Sequence, residues 1–283
     1  MDQREQAART AERLGGLRCL VCGGALTPAP DGFRCGRGHC VNLSRRGTLN
    51  FCSKPAPAFY SGALFEARAR VLAAGFFAPV LAAVERLLPA APPEGHRLLD
   101  AGCGEGWYLA SLLARHPDWT GAGVDLSRDA IRLASRQEAA ALWCVADLKR
   151  LPFADGAFTA VLDILTPADY GAFLRVLAPE GVLVKVFPGP EHLRELRAAR
   201  GLPPYEAGDV ERYLRARTRV LAAERICVPT PVTPAYWADL AVMTPLNAEL
   251  SPEAMADLRG RSAGTVTLDV SVAVCARRED ECT

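Results

Sequence analysis

The chain has 283 residues, 50% of them hydrophobic and 23% charged, with a formal net charge of +1. That is enough for one large domain or two modest ones around a sizeable core. No apolar run approaches the roughly 18 residues of a membrane span, so no membrane partner is expected, and the polar start MDQREQAARTAERLGG lacks the apolar core of a secretion signal, which makes the cytoplasm the expected location.

The charge is uneven. Residues 1–54 carry nine Arg or Lys against four acids, so +5, while the remaining 229 carry 24 against 28, so −4. A basic head on an acidic body suits an anionic partner, and nucleic acid is the obvious one. The same head holds CLVCGGALTPAPDGFRCGRGHC, where four of the ten cysteines fall. Disulfides seldom persist in the cytoplasm, so clustered thiols point to metal. Cys19 and Cys22 form a CxxC, Cys35 follows, and His39 and Cys40 stand side by side. Two knuckles in glycine-rich surroundings with four soft or borderline ligands suit a tetrahedral zinc with no open position, which is a structural site. By spacing alone either His39 or Cys40 closes it. The metal would fold a segment whose own core is little more than Leu20, Val21, Leu26 and Phe33. Cys103, Cys144, Cys227 and Cys275 are scattered, mostly in apolar runs, and read as small buried hydrophobes, with Cys282 a free tail thiol.

A Pro/Gly/Ser-rich linker, SKPAPAFYSG, follows at 53–62. The run LFEARARVLAAGFFAPVLAAVERLL then has helical periodicity with a break near Gly75, so two helices are expected. The stretch PAAPPEG leads into RLLDAGCGEGWYLASLLARH. Here an apolar strand ends, the glycine-rich turn 100–106 follows, and Trp107 to Arg115 reads as a helix. Such a turn lets a ligand approach the backbone at a helix N-terminus. GAGVDLSRDAIRLASRQ is a second strand ending at Asp125 and then a helix. An acid there suits the two hydroxyls of a ribose. LWCVADLKRLPFADGAFTAVLDIL gives a third strand ending at Asp147, a turn and a fourth strand. ADYGAFLRVLAPEGVLVKVFPG gives a helix and a fifth strand. Strands alternating with helices make a parallel, doubly wound sheet that binds ligands at the carboxyl ends of its strands.

GCGEG, VDLS, VADLKRLPF and APEGVLV together resemble the class I S-adenosylmethionine-dependent methyltransferases. The resemblance implies an α/β fold, a Rossmann-like class I methyltransferase sheet with a small N-terminal zinc-binding module. It implies S-adenosylmethionine as cofactor, with Gly102, Gly104 and Glu105 at its methionine part, Asp125 at its ribose and Asp147 at its adenine. The order of cysteine cluster, linker, helix pair and core further resembles the bacterial 23S rRNA (guanine-N1)-methyltransferases, including their macrolide-resistance relatives. The likeness runs from about 17 to 275 through CxxC-x12-CxxxH, RRGTLNF, EARARVLAAGFFAPV, LDAGCGEGWY, PGPEHLREL and Met243-Thr244-Pro245. It implies zinc held by Cys19, Cys22, Cys35 and His39, and contacts from Phe77 and His192 to the cofactor. It also implies a 23S rRNA stem-loop as partner and a homodimer. The expected division is 1–54 as a basic zinc module, 55–95 as linker and connecting helices, and 96–283 as the methyltransferase domain.

The chain departs from that family at Leu165-Thr166-Pro167, where an aromatic-Ala-Pro is usual, and at Asp163 before it, where a basic or amide residue is expected. This is the edge of the acceptor pocket, so a small heteroaromatic acceptor is the alternative to RNA. Methyl transfer is an in-line displacement in which the sulfonium becomes a neutral thioether, so the leaving group needs no acid. A guanine N1 must lose its proton at or before attack. Asp163, Asp169 and His192 are the groups expected near the strand ends, and Asp163 is the expected base.

Overall fold

The structure is a computed structural model and describes residues 3–203, 205–206, 208–244 and 252–278. Pro245 and Cys282 lie outside the described residues. In chain order the elements are α1 (Gln3–Arg13), β1 (Leu17–Arg18), β2 (Ala25–Ala29), β3 (Gly32–Cys35), β4 (Cys40–Asn42), β5 (Thr48–Asn50), α2 (Gly62–Ala73) and α3 (Ala78–Leu87). There follow β6 (Arg97–Ala101), α4 (Trp107–Arg115), β7 (Thr120–Asp125), α5 (Arg128–Ala134), β8 (Ala141–Val145), β9 (Phe158–Ile164), α6 (Tyr170–Val176) and β10 (Leu177–Pro188). The chain closes with α7 (Arg194–Ala199), α8 (Gly208–Arg217), β11 (Arg219–Val232), α9 (Pro234–Met243), α10 (Pro252–Gly260) and β12 (Gly264–Ala276).

Eight strands form one mixed sheet in the order β11-β12-β10-β9-β6-β7-β8-β5. The pairs from β10 to β5 are parallel, and β12 runs antiparallel to both β10 and β11. The order reverses at β6, so the carboxyl ends of β6, β7 and β9 form the crevice where such sheets take ligands. Strand residues alternate between two apolar layers, as their period of two requires. Leu98 packs on the face covered by α2, α3, α4 and α9, and Leu99 on the face covered by α1 and α6. This is the class I methyltransferase architecture expected from the sequence.

The N-terminal segment is built onto that sheet. Its four short strands form a separate sheet, β1-β2-β3-β4, but β5 pairs with β8, Thr48 opposite Trp143. Helix α1 packs against β7 and β8. Arg18 N donates to Pro152 O at 2.9 Å and the Arg150 guanidinium to Leu20 O. Leu17, Leu26 and Phe33 share an apolar cluster with Leu99, Val124 and Phe153. The module therefore borrows core from the large sheet, and Val21, expected among its few apolar core residues, is 74% exposed instead.

The break near Gly75 is real. Gly75 has φ +85°, and α2 and α3 meet there at 75°. No single helix among the described residues is long and apolar enough to cross a membrane. Cys103, Cys144 and Cys275 are buried as expected, whereas Cys227 is exposed on the edge strand β11.

Candidate active site

Strand β6 delivers Asp100 and then the turn from Gly102 to Gly106, after which α4 begins at Trp107. Gly102 and Gly104 have φ of +78° and +57°, a region that side chains disfavour. Their faces are also occupied. A Cβ on Gly102 would stand 2.5 Å from Thr166 Oγ1, and one on Gly104 the same distance from Arg68 Nη1. Gly104 N donates to Asp125 Oδ2 at 3.0 Å, and Ser127 N donates to Asp125 Oδ1 at 2.8 Å. Helix α5 takes its cap from Ser127, so Asp125 is not a helix cap. It ties the end of β7 to the glycine turn.

Under this turn lies a group of buried polar side chains. Asp100, Glu105 and Tyr108 are at most 2% exposed. Asp100 Oδ2, both Glu105 oxygens and the Tyr108 hydroxyl have no hydrogen-bond partner. Arg68 of α2 reaches in, its Nε 3.5 Å from Glu105 Oε2. Burial, with Glu105 and Asp125 nearby, pushes the Asp100 carboxyl up to about 7 against the pull of Arg68. Burial also raises Glu105 against the same guanidinium. A protein interior rarely leaves several such groups unpaired unless a ligand completes them.

The other expected residues sit along the same carboxyl edge. Asp147 follows β8, and its Oδ1 accepts from Lys149 N at 2.9 Å, which leaves Oδ2 for a ligand. His192 lies in the segment after β10, where Asp269 N donates to its Nδ1 at 3.4 Å. Burial holds the His192 imidazole down to about 4, so it is neutral at ordinary pH. Asp269 anchors that segment, taking Glu191 N at 2.8 Å and both arms of Arg225 at 2.8 Å. Phe77 is 2% exposed and packs edge-on against Phe76 at 5.0 Å, in the same core cluster as Tyr108.

Asp163 sits inside β9 with no exposed surface, opposite Lys185 of β10. Lys185 Nζ is 2.9 Å from Asp163 Oδ2 and donates to Thr166 O at 2.6 Å. The group expected to act as base is thus fully buried and paired with Lys185. Its neighbour Leu165 is held at φ +55°. Asp169, by contrast, is half-buried at the start of α6, where its Oδ1 caps Ala172 N at 2.9 Å.

The cysteine pairs converge. The ligand atoms of Cys19, Cys22, Cys35 and His39 all lie within 4.8 Å of one another. Cys22 Sγ is 3.7 Å from Cys35 Sγ, and His39 Nδ1 is 3.6 Å from Cys19 Sγ and 3.4 Å from Cys35 Sγ. Cys40 is exposed and its thiol turns to Gly38 O. The choice left open by spacing falls on His39. Burial raises the Cys35 thiol, but the N–H groups of Arg37 and His39 outweigh it and bring it to about 6.

Sequence reading missed Arg68 and Lys185, and it took Asp100 only as part of the glycine turn and Thr166 only as part of the acceptor edge. Arg68 lies four residues after Leu64 and three before Val71, on the buried side of α2, so a charge in the apolar stripe was its signal. Asp163 is the one charge in β9 and Lys185 stands between Val184 and Val186 of β10, each a buried charge in an apolar run, a pattern that calls for a partner.

A methyltransferase-domain family model matches residues 98–181. YxjB of Bacillus subtilis, provisionally named a 23S rRNA (guanine-N1)-methyltransferase, is 40% identical over 192 residues, covering 64% of this chain and 67% of its own. The 23S rRNA (guanine(748)-N1)-methyltransferase of Streptomyces fradiae is 29% identical over 270 residues, covering 92% of this chain and 96% of its own. A 23S rRNA (guanine-N1)-methyltransferase, again provisionally named, of Micromonospora griseorubida is 35% identical and covers 66% and 70%.

Proposed function

Since this chain belongs to the 23S rRNA (guanine-N1)-methyltransferase family and is an S-adenosylmethionine-dependent methyltransferase, we propose that it methylates N1 of a guanine in a 23S rRNA loop, using the N-terminal module as a zinc-held RNA grip. Residues 1–54 are the grip, 55–95 the connecting segment and 96–283 the transfer domain. The observation that carries the RNA reading is the state of the cations. Arg34, Arg37, Arg45, Arg46 and Lys54 are exposed, and their side chains make no ion pair or hydrogen bond. Arg9 and Arg18 of the module are paired with acids, as are Arg70, Arg86 and Arg115 on the body. Unpaired arginine forks are free to take phosphates, whereas paired ones are spent.

Zinc suits the Cys19, Cys22, Cys35 and His39 set. A tetrahedral ion about 2.3 Å from each sulfur separates two sulfurs by about 3.8 Å, and the Cys22–Cys35 separation is 3.7 Å. All four positions would be filled by protein, so the ion shapes the module and does no chemistry.

In the active site, bound S-adenosylmethionine supplies an electrophilic methyl group on a sulfonium. The glycine turn at Gly102, Gly104 and Glu105 receives its amino-acid end. Asp125, fixed by Gly104 N and Ser127 N, takes the ribose hydroxyls, and Asp147 takes the adenine amino group through its spare oxygen. Thr166, against Gly102, places the acceptor lip beside the turn. Since Asp163 is consumed by Lys185, we assign removal of the guanine N1 proton to Asp169, whose second oxygen is spare. The base must be unpaired when attacked, because N1 lies in its pairing face.

Transfer of labelled methyl from S-adenosylmethionine to protein-free 23S rRNA, followed across a salt series, tests this. Incorporation should fall steeply with salt, because the grip works by releasing counterions. Incorporation indifferent to salt, or found only in a small heteroaromatic acceptor, removes the RNA reading.

A further inference from the structure

The buried groups under the glycine turn have a specific complement. Glu105 and Asp100 offer carboxylate oxygens without donors, and Arg68 offers a guanidinium that makes no hydrogen bond. The Arg68 side chain keeps 18% of its surface exposed, beside a Glu105 side chain at 2%. Helix α2 holds it there. Ser61 caps the helix, and Arg70, two residues on, binds Asp239 of α9 through two hydrogen bonds of 2.9 Å and 2.6 Å. A phosphate or other anion would meet Arg68 but be repelled by two carboxylates. A plain cation would suit the carboxylates and leave Arg68 unpaired. A zwitterion with an ammonium and a carboxylate on one carbon offers a partner to Arg68 and to the two carboxylates.

We infer that Arg68, on a helix that precedes the sheet, takes the α-carboxylate of S-adenosylmethionine while Glu105 and Asp100 take its α-ammonium. This rests on the methyltransferase reading. Arg68 leans over Gly104 toward Glu105, within reach of a carboxylate placed beside the turn, and the cofactor's ammonium would stand beside Glu105. The anchor lies outside residues 98–181, so the connecting segment completes the cofactor site and is not a mere spacer.

Calorimetric binding of S-adenosylhomocysteine and of its decarboxylated analogue, S-adenosyl-3-thiopropylamine, to wild type and to Arg68→Ala tests the assignment. Wild type should prefer S-adenosylhomocysteine by about 100-fold, as expected for a charge-assisted fork on a carboxylate. In Arg68→Ala that preference should collapse to within about 3-fold, because only the carboxylate's partner has gone. Arg68→Lys, which keeps the charge and loses the fork, should fall between the two. The wild-type comparison needs no variant to fold. Equal wild-type affinity for the two ligands, or a preference that survives in Arg68→Ala, overturns the inference. Failure of wild type to bind either ligand overturns the cofactor reading, and the inference with it.

Discussion

Lys185 Nζ stands between Asp163 Oδ2, at 2.9 Å, and the carbonyl oxygen of Thr166, at 2.6 Å. One buried ammonium thus ties the interior of β9 to the loop that leaves it. That loop has Leu165 in the left-handed region and Thr166 against Gly102. Left-handed backbone at a leucine costs roughly 1–2 kcal/mol and persists only when its surroundings enforce it. The pair fixes the loop at Leu165 and Thr166, and the Asp163 carboxylate is held by Lys185.

Removing one partner leaves a buried charge alone. Lys185→Met should destabilise the fold by about 3–5 kcal/mol in urea unfolding. The double variant Asp163→Asn with Lys185→Met should recover most of that loss. Additive losses in the double variant would contradict the pairing.

The same carboxyl gives a pH dependence. Burial lifts Asp163 to about 6, with Lys185 opposing, whereas an unfolded Asp titrates near ~3.9. A carboxyl raised on folding stabilises fully below the unfolded value, and that contribution is lost as pH rises through the folded one. Wild-type stability relative to Asp163→Asn should drop by about 3 kcal/mol between about pH 4 and pH 6, then level off. Parallel curves across that window would show that Asp163 is not raised.

Asp169→Asn isolates the proposed base, because asparagine caps a helix as well as aspartate does. Thermal stability and S-adenosylhomocysteine affinity should hold, while the methylation rate falls by about 100-fold or more. A rate within about 3-fold of wild type would remove Asp169 from the reaction.

Metal analysis should return one zinc per chain, and Cys22→Ser should return much less. Loss of the ion should open the segment from β1 to β4 to proteolysis, because metal binding is much of its folding energy. Binding of S-adenosylhomocysteine should survive, since none of the residues assigned to the cofactor lies in the segment from β1 to β4. A zinc-free module that resists protease would contradict a structural metal.

Much of this was legible in the sequence, for a local reason. Trp107–Arg115 is helical as read, since a glycine turn before an apolar period of 3.6 has few other outcomes. The convergence of Cys19, Cys22, Cys35 and His39 is likewise written in spacing, helped by family resemblance at the fourth ligand. What escaped depends on contacts between distant segments. Lys54 reads as the end of a module, yet β5 just before it pairs with β8, nearly a hundred residues on. Asp163 reads as a base near the strand ends because its partner lies on the next strand, 22 residues later, and register alone brings the two together. Arg68 meets Glu105 only after α2 has docked on the sheet.

The most direct test of the central claim is to digest 23S rRNA after reaction with the protein and S-adenosylmethionine and to identify the modified nucleoside by mass spectrometry. The account predicts guanosine methylated on N1, at one position, abolished by Asp169→Asn. Methylation on any other atom, or none while S-adenosylhomocysteine still binds, would contradict it.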